Sequence, residues 1–335
     1  METPLALIIF NRPRPTEKVF REIAKVRPRK FFVIADGPRP DHPSDAEACA
    51  ETRAIIERVD WPCEVLKNYS EVNLGCGQRP HTGIDWVFKQ VDKCIILEDD
   101  CVPDPSFFPF CEELLEKYYE DERVMHISGR GVFPNNPTSR YSYYFSHSLS
   151  CWGWATWARA WRYYDKKVSI WPELRDTPWL ENIFGNERIS QSMKKHFDRF
   201  HDPTFEVNTW DMAWLVACWS QNGLGIRPYS NLITNIGFDE GATHKQWAQI
   251  MKMIDVPTSS VRFPLQHPPF VVRDITADQF TIDRQLKAES KLSRRRWYRR
   301  QLERISHILP DKIRNSIKTR LTIYLENKES KDAVH

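Results

Sequence analysis

Two hydrophobic rhythms alternate through the first 130 residues. Short strand-like runs, several of them continuously apolar, are separated by longer stretches in which apolar residues recur every three or four positions. The runs are 5–10 (LALIIF), 30–36 (KFFVIAD), 63–69 (CEVLKNY), 93–99 (KCIILED) and 123–129 (RVMHISG). The stretches between them are 16–26, with Thr16 as a candidate cap, then 44–59, 82–91 and 104–121. Runs of this length predict strands, and the period of three to four predicts helices. Strands without polar alternation are buried on both faces. The pattern therefore predicts an α/β fold built on a mainly parallel sheet with helices on both faces. Ligands of such sheets bind beyond the carboxyl ends of the strands. Polar residues cluster at those ends: Asn11 and Arg12 after the first run, Asp36 after the second, and Glu98, Asp99 and Asp100 after the fourth.

Beyond residue 130 the rhythm loosens. Residues 140–147 read as a strand, 151–165 (CWGWATWARAWRYYD) as a Trp-rich turn leading into a helix, and 166–205 as irregularly helical. Residues 209–223 (TWDMAWLVACWSQNG) form a strong helix that ends at Asn-Gly, and the chain is punctuated by proline from about 250. Residues 291–320 are basic and helical, broken at Pro310. No internal repeat or low-complexity tract is visible.

Composition narrows the class. With 335 residues and 41% hydrophobic content the chain can bury one large or two modest cores. A net charge of only +3 excludes a general polyanion binder. Aromatic content of 13%, with 13 Trp, leans toward sugar-ring surfaces as well as a large core. The eight cysteines contain no CxxC pair and no zinc spacing, which predicts a reducing compartment. The run 5–10 is too short for a secretory signal and no stretch reaches membrane-span length, so a cytoplasmic location is expected.

Glu98, Asp99 and Asp100 raise the sharpest question, because three adjacent carboxylates repel one another unless a positive group sits among them. A hard divalent cation, Mg²⁺ or Mn²⁺, is one solution, since it takes carboxylate and phosphate oxygens. A solvated acidic loop is the other. The loop after the first run, FNRPRP, lacks both GxGxxG and GxxxxGK[ST], which argues against a dinucleotide fold and a P-loop.

In order, the chain carries IIFNRP (8–13), VIADGP (33–38), IILEDDCVPDPSFFPFC (95–111), CWGWATW (151–157), NTWDMAW (208–214) and NIGFDEGATH (235–244). This ordered set resembles the GT-A glycosyltransferases. It is closest to the N-acetylglucosaminyltransferase I type and to bacterial nucleotide-diphospho-sugar transferases of surface-polysaccharide loci.

The resemblance implies a GT-A-like domain over 1–250, with a nucleotide-sugar half (1–130) and an acceptor half (131–250), followed by an extension over 251–335. It implies Asp100 as a contact to Mn²⁺ or Mg²⁺, with His244 on a loop closing over the donor diphosphate, hinged at Gly237 and Gly241. Glu98 and Asp99 would hold ribose and water ligands, Arg12 the nucleotide or phosphates, and Asp36 the uracil or ribose. Arg79 and His81 match a region that contacts the nucleotide. Trp152, Gly153 and Trp154 would approach the sugar or the acceptor.

Asp211 would be the catalytic base of an inverting transfer from a UDP-linked sugar to a glycan or lipid-linked acceptor. A retaining transferase, a sugar nucleotidyltransferase and an inactive carbohydrate-binding or assembly protein remain alternatives. The basic segment 291–320, with Trp297, Leu302, Ile305, Ile308 and Leu309 as apolar anchors, has the composition of a helix lying on an anionic membrane surface. A peripheral position on the inner face of the membrane is therefore expected. No nucleic-acid module is recognisable.

Overall fold

A computed structural model of the protein describes residues 1–132, 140–237, 250 and 254–306, with side chains as far as 293. The first four apolar runs are neighbouring strands: β1 (Leu5–Ile9), β2 (Lys30–Ala35), β3 (Glu64–Tyr69) and β4 (Lys93–Glu98). β1 pairs in parallel with β2 and β4, and β2 with β3. The connecting helices are α1 (Pro13–Val26), α2 (Asp45–Ile56) and α3 (Arg79–Phe88).

Successive side chains of a strand face opposite ways. Leu5, Leu7 and Ile9 of β1 accordingly join Val19 and Phe20 of α1 in one core. Ala6 and Ile8 join Ile84 and Val87 of α3 in the other. Burial of both sets is why β1 shows no polar alternation.

α1 and α3 begin earlier than the apolar period predicts, at Pro13 and at Arg79-Pro80. Proline suits the first turn because its fixed φ is helical and its missing N–H has no partner to lose there. Thr16 therefore lies inside α1, where its hydroxyl donates to the Arg12 carbonyl at 2.7 Å and caps nothing.

The sheet is completed by β6 (Val124–Ser128), β7 (Tyr143–Ser146), β8 (Trp154–Trp157) and β9 (Leu224–Pro228), in the order β3-β2-β1-β4-β8-β6-β9-β7. β5 (Cys101–Pro103) and β10 (Ile233–Asn235) form a separate antiparallel pair. In the main sheet β6 and β9 are also parallel, whereas β8 opposes both β4 and β6, and β7 opposes β9.

β8 corrects the reading of 151–165 as a turn into a helix. Trp154, Trp157 and Trp161 are spaced three and four apart, which imitates a helical stripe. In the structure Trp154 enters one core and Trp157 the other, as in a strand, and only α5 (Ala158–Trp161) is helical.

α4 (Phe107–Lys117) packs on the same face as α1. The segment after α5 carries α6 (Trp171–Leu174), α7 (Trp179–Phe184) and α8 (Glu187–Asp198). α9 (Asp211–Ser220) is apolar all round because it is buried on two sides. Trp214 and Cys218 enter the sheet core, while Ala213, Val216 and Trp219 meet Trp171 and Phe197.

The chain divides into two compact units, Met1–Lys245 with Asp255–Ile282, and Gln246–Ile254 with Asp283–His335. Residues 255–282 thus belong with the sheet. Val261 N–H donates to Ser106 Oγ at 3.0 Å, and Asp274 N–H to the Phe145 carbonyl at 2.8 Å. The C-terminal helix α10 spans Ile275–Ser306, and the rest of the basic segment lies outside the described residues. No described helix is long and apolar enough to cross a membrane.

Candidate functional site

The strand directions collect one set of loops on one edge of the sheet. The carboxyl ends of β1, β2, β3, β4, β6 and β9 lie there, together with the amino end of the opposed β8. Residues 10–12, 36–37, 70–78, 98–100, 129–130 and 152–153 share this rim.

Asp99 and Asp100 are buried and gripped by Arg12. The guanidinium forks between them, with Nη2 on Asp99 Oδ1 and Nη1 on Asp100 Oδ2 at 3.0 Å. Phe10 N–H donates to the second Asp99 oxygen at 3.3 Å. The Asn235 amide reaches Asp100 Oδ1 at 3.3 Å, and Ile236 N–H bonds the Asp100 carbonyl at 2.8 Å. The approach is close enough that a Cβ on Gly237 would lie 2.1 Å from Asp100 Oδ2. Burial works against the charge on Arg12, but Asp99 and Asp100 outweigh it and raise its pKa. A positive group does sit among the acids, and it is a side chain of the loop after β1.

One guanidinium does not balance three carboxylates. Glu98 receives no hydrogen bond among the described residues, although Asp99 and Asp100 adjoin it. Burial pushes its carboxyl up to about 8, with repulsion from Asp100 and Asp99 next, Arg12 opposing and Asp211 adding a last contribution. Asp99 moves the same way, again by burial first, to about 6.

A carboxyl raised in this manner binds its proton more tightly folded than unfolded. Its stabilising contribution is full below the ordinary glutamate value and is lost as pH rises through the folded one. From about pH 4.5 to about 8, wild-type stability should therefore fall more than that of Glu98→Gln. Thermal midpoints across that range are the measurement, and parallel curves would remove Glu98 from the charge conflict.

The excess negative charge and the orphaned Glu98 fit a hard divalent cation. Among the described residues no three His, Cys, Asp or Glu side chains are arranged to hold an ion by themselves. Mg²⁺-type ions are bound through one or two carboxylates plus substrate phosphates and water, so a partial protein ligand set suits them. Glu98, and Asp100 whose oxygens also accept from Arg12 and Asn235, are the carboxylates that could contribute.

The other expected residues fall into distinct positions. Asp36 is turned into its own loop: Oδ1 accepts from Gly37 N–H and Leu74 N–H, and Oδ2 from Gly75 N–H, each at 2.9 Å, with the Asn73 amide at 3.1 Å. A carboxylate has about four acceptor positions, and all are taken. Arg79 is buried as a strut, its Nε donating to the Ala35 carbonyl at 3.0 Å and its Nη2 to Asn68 Oδ1 at 2.8 Å. His81 stacks on Tyr164 at 5.4 Å, with Nδ1 3.8 Å from Asp85 Oδ2, and its buried Nε2 has no partner among the described residues.

Trp154 is fully buried and surrounded by His126, Trp161, Trp210 and Trp214, so its ring belongs to the core and has no face left for a sugar. Gly153, at φ 56°, presses on Ile233, where a Cβ would come within 2.3 Å of Cδ1. Trp152 remains half-buried at the rim, with the Arg130 guanidinium 4.3 Å above its ring. His244 and Gly241 lie outside the described residues.

Asp211 is the first residue of α9, where a carboxylate suits the helix dipole. Thr209 donates its hydroxyl to Oδ1, and Oδ2 has no partner among the described residues. Asn208, three residues before Asp211, is bonded to the rim loop at Cys76 and Gly77, and Asp211 exerts the smallest of the electrostatic influences on Glu98.

Several neighbours make contacts that no sequence pattern specifies. Asn235 and Gly237 touch Asp100. Asp45 joins Asn11 at 2.7 Å and Arg39 at 2.6 Å, which holds its carboxyl down at about 2, through Arg39 first. The Cys76 thiol lies within electrostatic reach of Glu98, Asp211 and Asp36, and burial pushes it up to about 11. It and Cys63 are the half-buried cysteines, while the other six are buried.

No protein-family model matches the sequence, and no curated protein matches it. Among solved structures, the chain is similar to a UDP-glucose pyrophosphorylase complexed with UDP-glucose. That match has a TM-score of 0.26 and 11% identity, over 44% of this chain and 64% of the other. An apo UDP-glucose pyrophosphorylase gives a TM-score of 0.37 and 9% identity, over 72% of this chain and 94% of the other. Likeness this slight says nothing about activity, and the site is read from its own residues.

Proposed function

We propose that the carboxyl edge of the sheet binds a nucleotide-sugar, UDP-linked, and that the protein transfers the sugar with inversion to a glycan or lipid-linked acceptor. The observation that carries this reading is the meeting of two carboxylate functions from distant parts of the chain. A charge-dense triplet ends β4, and Asp211 from α9 lies within its field with one oxygen unpaired. Inverting transfer needs a base on one side of the anomeric carbon and stabilisation of the leaving diphosphate on the other.

Asp211 Oδ2 would take the acceptor hydroxyl's proton while Thr209 holds Oδ1. Arg12, one-third exposed at its side chain, is placed to turn from Asp100 toward a diphosphate. A divalent cation held by Glu98 and Asp100 would neutralise the departing diphosphate.

The test is a screen of UDP- and GDP-sugars for nucleotide release, with and without Mn²⁺. Thiol labelling locates the site independently of turnover. UDP with Mn²⁺ should slow alkylation of Cys76 severalfold and leave Cys63, before the first residue of β3 on the opposite edge, unchanged. Equal labelling of both with and without UDP would move the donor elsewhere. Formation of a nucleoside triphosphate from a UDP-sugar and pyrophosphate would mark a nucleotidyltransferase instead.

A further inference from the structure

Two loops hold one another at the mouth of the crevice, and one of them leads into Asp211. The stretch between β3 and α3 is fastened at one end by Asp36, through Leu74, Gly75 and Asn73. Its other end is fastened to Asn208. Gly77 N–H donates to Asn208 Oδ1 at 3.1 Å, and the Cys76 thiol reaches that oxygen and the Asn208 carbonyl, each at 3.2 Å.

Only glycine permits the approach at 77, because a Cβ there would lie 2.9 Å from the Val207 carbonyl oxygen and 3.1 Å from Asn208 Cα. Thr209 follows directly and donates to Asp211. Residues 201–206, which lead into this segment, are all exposed, so they offer no buried anchor for it.

We propose that Asn208, fastened to the loop that Asp36 anchors, is a positioning residue that fixes Asp211 against the acidic triplet. The proposal rests on the reading of Asp211 as the base. It assigns Asp36 a different task from donor contact: Asp36 sets the loop, the loop sets Asn208, and Asn208, together with the buried Trp210 that stacks on Trp154 at 5.7 Å, sets the start of α9. Asn208 acts on the base through the backbone and Thr209, while Asp36 still fastens the loop at residues 73–75, so loss of Asn208 moves the base more than the donor subsite.

Asn208→Ala and Asn208→Asp, with the full chain, test this. The aspartate keeps an acceptor oxygen for Gly77 N–H and the Cys76 thiol, and the exposed position tolerates either change. In Asn208→Ala, kcat should fall about tenfold, the equivalent of one hydrogen bond, with the donor KM unchanged. Asn208→Asp should recover most of that loss. Alkylation of Cys76 relative to Cys63 should rise in the alanine variant and return in the aspartate variant.

An unchanged labelling ratio in Asn208→Ala would show that no clasp exists. A donor KM that rises with the loss of kcat, or an aspartate variant no better than alanine, would overturn the positioning role. If the wild type turns over no nucleotide-sugar, the reading of Asp211 fails and the positioning role falls with it, while the labelling ratio still reports on the clasp separately.

Discussion

Asp211→Asn should bind UDP within a few-fold of wild type and turn over sugar about 10²- to 10⁴-fold more slowly. The amide keeps the shape of the carboxylate, and its oxygen can still accept from Thr209. What it loses is the capacity to take a proton. It also loses a charge at the amino end of α9, which costs about 0.3–1 kcal/mol of helix stability and leaves the fold intact. Calorimetry with UDP and single-turnover transfer separate the two effects. A variant that transfers sugar within a few-fold of wild type would remove Asp211 as the base. One that loses UDP binding would make it a donor ligand.

Asp100→Ala should abolish Mn²⁺-dependent UDP binding while the protein remains folded. The Asp100 backbone keeps its bond from Ile236, and Arg12 keeps Asp99. The variant loses one of the two carboxylates proposed to hold an ion. Removing a partner of a metal ligand typically costs about 10–100-fold in metal affinity, so removing the ligand itself should cost more. Titration of UDP at fixed Mn²⁺ is the measurement, with a thermal melt to confirm folding. Wild-type affinity in the variant would sink the metal assignment and leave Arg12 as the cation that matters.

The first half of the fold was readable because β1, β2 and β4 are buried, so each appears as an apolar run between helical periods, while β3 lies half-exposed at the sheet edge and reads as a strand with polar residues in it. The carboxylates of the site were readable as residue types out of place at strand ends. Their partners were not. The need for a positive charge among Glu98, Asp99 and Asp100 follows from the sequence, yet nothing in FNRPRP says that Arg12 forks between two of them. Asp36 looked like a ligand because it follows a buried strand and matches an acid of the family that the sequence resembles. Only the return of residues 73–75 shows that its acceptor positions are filled. Asn208 and Cys76 gain meaning from each other across two loops, a relation that no local pattern encodes. β8 failed for the opposite reason, because its tryptophans carry a strong pattern of the wrong period.

That same strand bears on how the protein is made. β4 and β6 are not neighbours: Trp154–Trp157 fills the place between them, pairing with both. Until the ribosome has delivered those four residues, the β4 edge has no partner on that side, and an apolar edge of this kind is a template for pairing with other chains. The nascent first half of the sheet is thus left open along its middle, not at its margin. A fragment stopped at residue 130 should aggregate where one extended through α5 is better protected. Division of this chain near residue 130 into separately expressed pieces would cut through the centre of a single sheet.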